Sequence, residues 1–200
     1  EPGTQVGGEI APEVLAELDR AWDNPKPVMG VLLAVALTLA VQAFLIEIPD
    51  RAASGPWMGF ALLPQGTLPE LLPPLWQALT RTISAYASIS LVKALFVVSM
   101  GGAALAAGAV AAICAHLIGR DGAVGPWRAG LVGGAAGACF GVSFIAALAR
   151  YGVGPEALAA ALALWGVFYL LRAYDRRGLT LELMIGACCL GCATVDQPFY

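Results

Sequence analysis

Charge is scarce in this chain. Charged residues make up 12% of its 200 residues and apolar residues 59%. A typical soluble domain carries roughly twice that share of charge. Mean hydropathy is +0.77. A net charge of −3 offers no basic field to a phosphate backbone, so nucleic-acid binding is set aside. Catalytic signatures are missing too: there is no P-loop, no paired-histidine zinc helix and no serine nucleophile elbow. His116 is the single histidine. That excludes a haem held by two histidines, and nothing in the sequence positions His116 for a catalytic triad.

A disulfide framework is also missing. The five cysteines, Cys114, Cys139, Cys188, Cys189 and Cys192, are odd in number and sit in apolar, small-residue segments. Cysteine in such surroundings behaves as a small hydrophobe. The Cys189–Cys192 spacing has no second pair, so packing is favoured over redox or zinc chemistry.

Long apolar runs are abundant. From Ile83 to Gly119 the only charged side chain is Lys93. A bilayer span takes only about 20 apolar residues, so this run points to an integral membrane protein. The expected fold is all-α, a polytopic transmembrane helical bundle with five spans preferred and six as the alternative. The spans fall near 28–48, 92–118, 129–149, 157–171 and 179–194. Six spans would result if the 83–119 run folded into a hairpin at Gly101-Gly102. The single long span is preferred because that turn would have two glycines and no polar residue. An amphipathic lead-in helix is then expected over 83–91.

The rest of the chain divides around these spans. Residues 1–27 form an extramembrane N-terminal segment. Within it, Ile10, Val14, Leu18 and Trp22 recur at near-helical spacing over Glu9–Asp23, until Pro25 and Pro27 stop the pattern. The start at Glu1, with a loose run over 1–7, fits either a chain from which a targeting peptide has been removed or a sequence that starts late. Residues 49–81 hold six prolines among Trp57, Phe60, Leu71, Leu72 and Trp76. Too apolar for a flexible linker and too broken for a span, this segment reads as an ordered surface loop. With five spans, Arg20, Lys26, Arg120, Arg128, Arg172, Arg176 and Arg177 share the N-terminal side. Arg51, Arg81 and Arg150 lie opposite, which places the N-terminus inside. A hairpin at Gly101-Gly102 gives an equal bias of the other hand, so charge does not choose between the two counts.

The strongest local pattern is a glycine ladder. Gly133, Gly137 and Gly141 recur every four residues, and Gly130 and Gly134 form a second pair. Small residues at that spacing make a groove into which another helix can dock, within the chain or on a partner. Ionisable groups in or near the spans are Glu47, Lys93, His116 and Glu182. Such groups often mark function, but here they are read chiefly as interfacial side chains. His116 carries a second reading, as a ligand to the magnesium of a chlorophyll, with Gln42 as a further candidate. Chlorophyll, carotenoid or lipid at helix surfaces are the cofactors expected, and no metal site is.

These features point to a non-catalytic accessory subunit of a large energy-converting membrane complex. A photosynthetic host in a thylakoid membrane is preferred over a respiratory one in the mitochondrial or bacterial inner membrane. Its partners would be other membrane subunits and the lipid bilayer. The alternative is a small transporter or channel, in which Lys93, Glu182 and His116 would face one aqueous cavity. A membrane-embedded lipid enzyme is a third reading, and it lacks the clustered His or Asp residues it would need.

Overall fold

Serine and proline mark the helix starts of this chain. The computed structural model describes residues 26–45, 74–120, 124–151, 154–175 and 181–195, and among them finds six helices and no strand. They are α1 (Lys26–Leu45), α2 (Pro74–Ala87), α3 (Leu91–Gly119), α4 (Pro126–Tyr151), α5 (Glu156–Asp175) and α6 (Leu181–Val195). Pro74 and Pro126 each open a helix, where the missing amide donor costs nothing. Ser90 caps α3 in an extended conformation, and its hydroxyl accepts from the Lys93 amide at 3.4 Å. Two helices, α3 and α5, are long and apolar enough to cross a membrane.

The 83–119 run is not one element, and its lead-in differs from the sequence expectation. The helix before α3 begins at Pro74 and ends at Ala87, so the closing stretch of the expected 49–81 loop, residues 74–81, is helical. The cause is local. After Pro74 the prolines cease, and Trp76, Leu79, Thr80 and Ile83 fall on one helical face. Ser88, at φ 52°, then takes the left-handed conformation that ends a helix, and the Ser84 hydroxyl donates to the Ile89 carbonyl at 2.8 Å. Beyond this turn α3 runs unbroken through Gly101 and Gly102, with no hairpin there. The expected helix over Glu9–Asp23, the 49–73 connector and Glu47 lie outside the described residues.

α3 is the centre of the packing, touching α1, α2, α4 and α5, while α6 packs on α5. Contacts along the helices fix their directions. Gly30 and Thr38 of α1 meet Gly130 and Gly141 of α4, so these two run parallel. Gly102 of α3 meets Ala157 of α5, and His116 meets Asp175, so these two also run parallel. α4 runs back along α3, from Gly133 beside Ala115 to Gly141 beside Ala107. α6 runs back along α5, from Glu182 beside Arg172 to Leu190 beside Gly166. Setting α2 aside, the helices therefore alternate in direction through the chain.

Two kinds of packing hold them. At the start of α3, Leu95, Phe96 and Val98 form a large-residue cluster with Trp76 and Leu158, and Leu79 and Ile83 of α2 lie against it. Beyond Ser99, whose buried hydroxyl donates to the Gly154 carbonyl at 3.1 Å, the buried residues of α3 are all alanine or glycine. Small side chains let backbones approach closely, so shape and dispersion hold this half together.

Candidate functional site

α5 carries an unusual face. Trp165, Phe168, Tyr169 and Arg172 follow at three- and four-residue steps, and Asp175 lies one turn further on. With His116, Ala112 and Ala115 of α3 and Val28 and Val31 of α1, these residues line a cavity of about 650 Å³. Its walls are apolar and aromatic, and its polar groups gather where α3 and α5 end. The cavity exists because α1 and α3 present valine and alanine here, which leave space opposite the rings.

The aromatic residues hold one another. Trp165 and Phe168 meet edge to face at 5.5 Å between centroids, as do Phe168 and Tyr169 at the same distance. The indole of Trp165 donates to the Leu105 carbonyl of α3 at 3.1 Å, which fixes its ring across the helix pair. Phe168 also meets the imidazole of His116 edge-on, at 6.1 Å.

The charged groups are matched in pairs. Asp175 takes His116 Nε2 on one carboxylate oxygen at 2.8 Å and Arg120 Nη2 on the other at 3.1 Å. His116 and Arg120 are one turn apart, so one carboxylate clamps the last turn of α3 to the last turn of α5. In the tautomer whose Nε2 donates to this carboxylate, Nδ1 is the ring's acceptor. Arg172 pairs with Glu182 of α6 at 3.4 Å and lies over the Phe168 ring at 5.7 Å. Two guanidiniums thus face two carboxylates across three helix ends.

The sequence-derived candidates divide between this cavity and the helix packing. His116 lines the cavity, with Nε2 already on Asp175. A magnesium ligand here would be Nδ1, or Nε2 once Asp175 had moved. Glu182 lies in the first turn of α6, on Arg172. Lys93 is exposed in the first turn of α3, at the far end from His116. The side chain of Gln42 lies outside the described residues. Gly133 and Gly137 lie on the Ala111 and Ala107 carbonyls of α3, Gly130 and Gly134 lie on Gly30 of α1, and Gly141 lies on the Thr38 side chain. The ladder therefore docks two helices of the same chain onto α4.

Sequence reasoning misses Asp175 and the face from Trp165 to Arg172. By sequence Asp175 belongs to a charged loop, because its partner His116 is 59 residues away and no local motif joins them. The ring spacing on α5 is the signal that could have found the face. Among the described residues, no group of three His, Cys, Asp or Glu side chains is placed to hold a metal ion. Compared with known proteins, the chain matches no family model, no curated protein and no solved structure.

Proposed function

We propose that this chain is a polytopic membrane protein in which α1, α3, α4, α5 and α6 cross the bilayer. We propose further that it is a non-catalytic accessory subunit of a larger energy-converting assembly. One observation carries the reading: past Ser99 of α3, size is sorted opposite to a water-soluble core. The buried residues of α3 past Ser99 are alanine and glycine, while Val97, Leu105 and Leu117 of the same helix point outward. Leu32, Leu33 and Leu37 of α1 and Leu131, Val132 and Val142 of α4 are exposed in the same way. A soluble monomer rarely shows so continuous an apolar surface, whereas lipid tails and neighbouring subunits cover one readily.

Charge placement supports the accessory role. The ionisable groups near the cavity pair with one another, and Lys93 stands 23 residues before His116 on α3, about 35 Å along its axis. The transporter alternative wants Lys93, Glu182 and His116 round one aqueous space, and this separation counts against it. Lys26, Arg120, Arg128 and Arg172 belong to the helix ends nearest His116, so the positive-inside rule favours that end as the cytoplasmic, matrix or stromal one. A photosynthetic host in a thylakoid membrane is proposed over a respiratory one, because small-residue helices suit pigment and lipid packing.

Purification in a mild detergent tests membrane residence and the accessory role together. The expected result is recovery from the membrane fraction and co-migration with a large pigmented assembly. Release by a carbonate wash overturns membrane residence. A lone, pigment-free chain overturns the accessory role.

A further inference from the structure

We propose that the cavity between α1, α3 and α5 binds a neutral, ring-bearing amphiphile whose head carries carbonyl oxygens, a quinone in chemical class. Volume comes first. About 650 Å³ lies within the range of small-molecule sites, enough for a substituted ring and the start of a tail. Shape comes second. Trp165, Phe168 and Tyr169 line it with rings braced by edge-to-face contacts, and Val28, Val31 and Ala112 line it with small apolar side chains. A flat ring gains contact area against such a lining without ordering many torsions.

Charge decides the head group. Among the described residues, the charged side chains that line the cavity are Arg172 and Asp175, one of each sign, and carboxylates hold both Arg172 and the neighbouring Arg120. An anionic lipid head would have to displace those carboxylates or sit beside them against like-charge repulsion. A neutral head avoids this. The Arg172 guanidinium has five N–H donors, more than its pairing with Glu182 uses, and the Tyr169 side chain lines the same space. Donors facing an apolar chamber suit an acceptor such as a quinone carbonyl better than a lone hydroxyl.

The inference goes beyond the accessory role and does not depend on which assembly hosts the chain. Its test uses the purified full chain in detergent, apart from any co-migration result. A short-chain alkyl benzoquinone is titrated and followed by calorimetry and by quenching of Trp165 emission, with W165F as the spectral control. Saturable one-site binding is expected. V31F, which fills the chamber, should weaken it about tenfold or more, and R172Q should weaken it several-fold. L131F, on the outward face of α4, should leave it unchanged. A112L repeats the filling test from α3 should V31F fail to fold, as read by circular dichroism. Partition without saturation, or equal affinity in both filled variants, overturns the proposal. So does stronger binding of an anionic phospholipid that competes with the quinone.

Discussion

Gly137 of α4 lies on the backbone carbonyl of Ala107 in α3, so close that a Cβ there would collide with it. Gly133 stands in the same relation to Ala111, one turn along, and the Ala34 methyl of α1 closes on Gly137 from the other side. Backbone cannot swing away as a flexible side-chain tip can. A methyl at position 137 therefore has to push α4 away from both α3 and α1. G137A is expected to destabilise by about 1–3 kcal/mol, and G137L by more, through overpacking. Thermal unfolding in detergent reads the loss. If G137A melts with the parent, the α3–α4 contact is not the one described.

Gly101 gives the opposite expectation from the same kind of helix position. A Cβ there meets nothing within 4 Å, whereas at the adjacent Gly102 it meets the backbone of Ala157 and Leu158. G101A should therefore stabilise by about 0.5–1 kcal/mol, the usual gain when a glycine leaves a helix interior. G102A should destabilise. Measuring the two side by side separates a packing effect from a helix-propensity effect, because propensity alone would move both the same way.

These glycines show what the sequence could and could not disclose. The four-residue step of Gly133, Gly137 and Gly141 is visible in the residue order alone, because a helix repeats its face at that interval. Which helix lies on each glycine is not visible. Gly130 meets Gly30 a hundred residues earlier, and no local rule encodes that pairing. The same limit hides Asp175 from His116. The α2 helix is hidden differently: the prolines of 49–74 dominate the whole connector in sequence, although they cease at Pro74 and the apolar face starts there. The unbroken course of α3 through Gly101-Gly102 rests on the close approach of Gly102 to α5, a tertiary contact that outweighs glycine's poor helix propensity.

Asp175 holds two cationic or proton-donating partners, so its removal should outweigh that of either one. Its side chain is 23% exposed and that of His116 27%, so water screens the pairs only partially. D175A is expected to destabilise by about 1–2 kcal/mol, in the range for hydrogen bonds to charged groups moderated by exposure. R120Q, on a more exposed partner, should cost less. A double-mutant cycle between D175A and R120Q should show a favourable coupling, and additivity within error would mean that the 3.1 Å contact contributes nothing.

Ser88 takes a left-handed conformation at φ 52° between α2 and α3. An L-residue with a Cβ is strained there and glycine is not, so S88G is expected to be neutral or to stabilise by up to about 1 kcal/mol. S88V should destabilise, since a branched side chain tolerates this region least. Should S88V melt with the parent, the α2–α3 turn has a different conformation.

Cys139 bears on the membrane reading directly. It is exposed on α4, 13 residues after Pro126, about 20 Å into the helix. In water such a thiol would react freely, because its thiolate is accessible. In a bilayer, hydrocarbon would cover it and exclude charged reagents. A variant keeping Cys139 as its one cysteine should therefore resist a membrane-impermeant maleimide in intact liposomes. It should react with the reagent after unfolding in detergent. Cys192, exposed on α6, gives an independent position for the same measurement. Rapid labelling of both thiols by the impermeant reagent would show that water covers α4 and α6, and the exposed leucines and valines beside them would then need a protein partner in place of lipid.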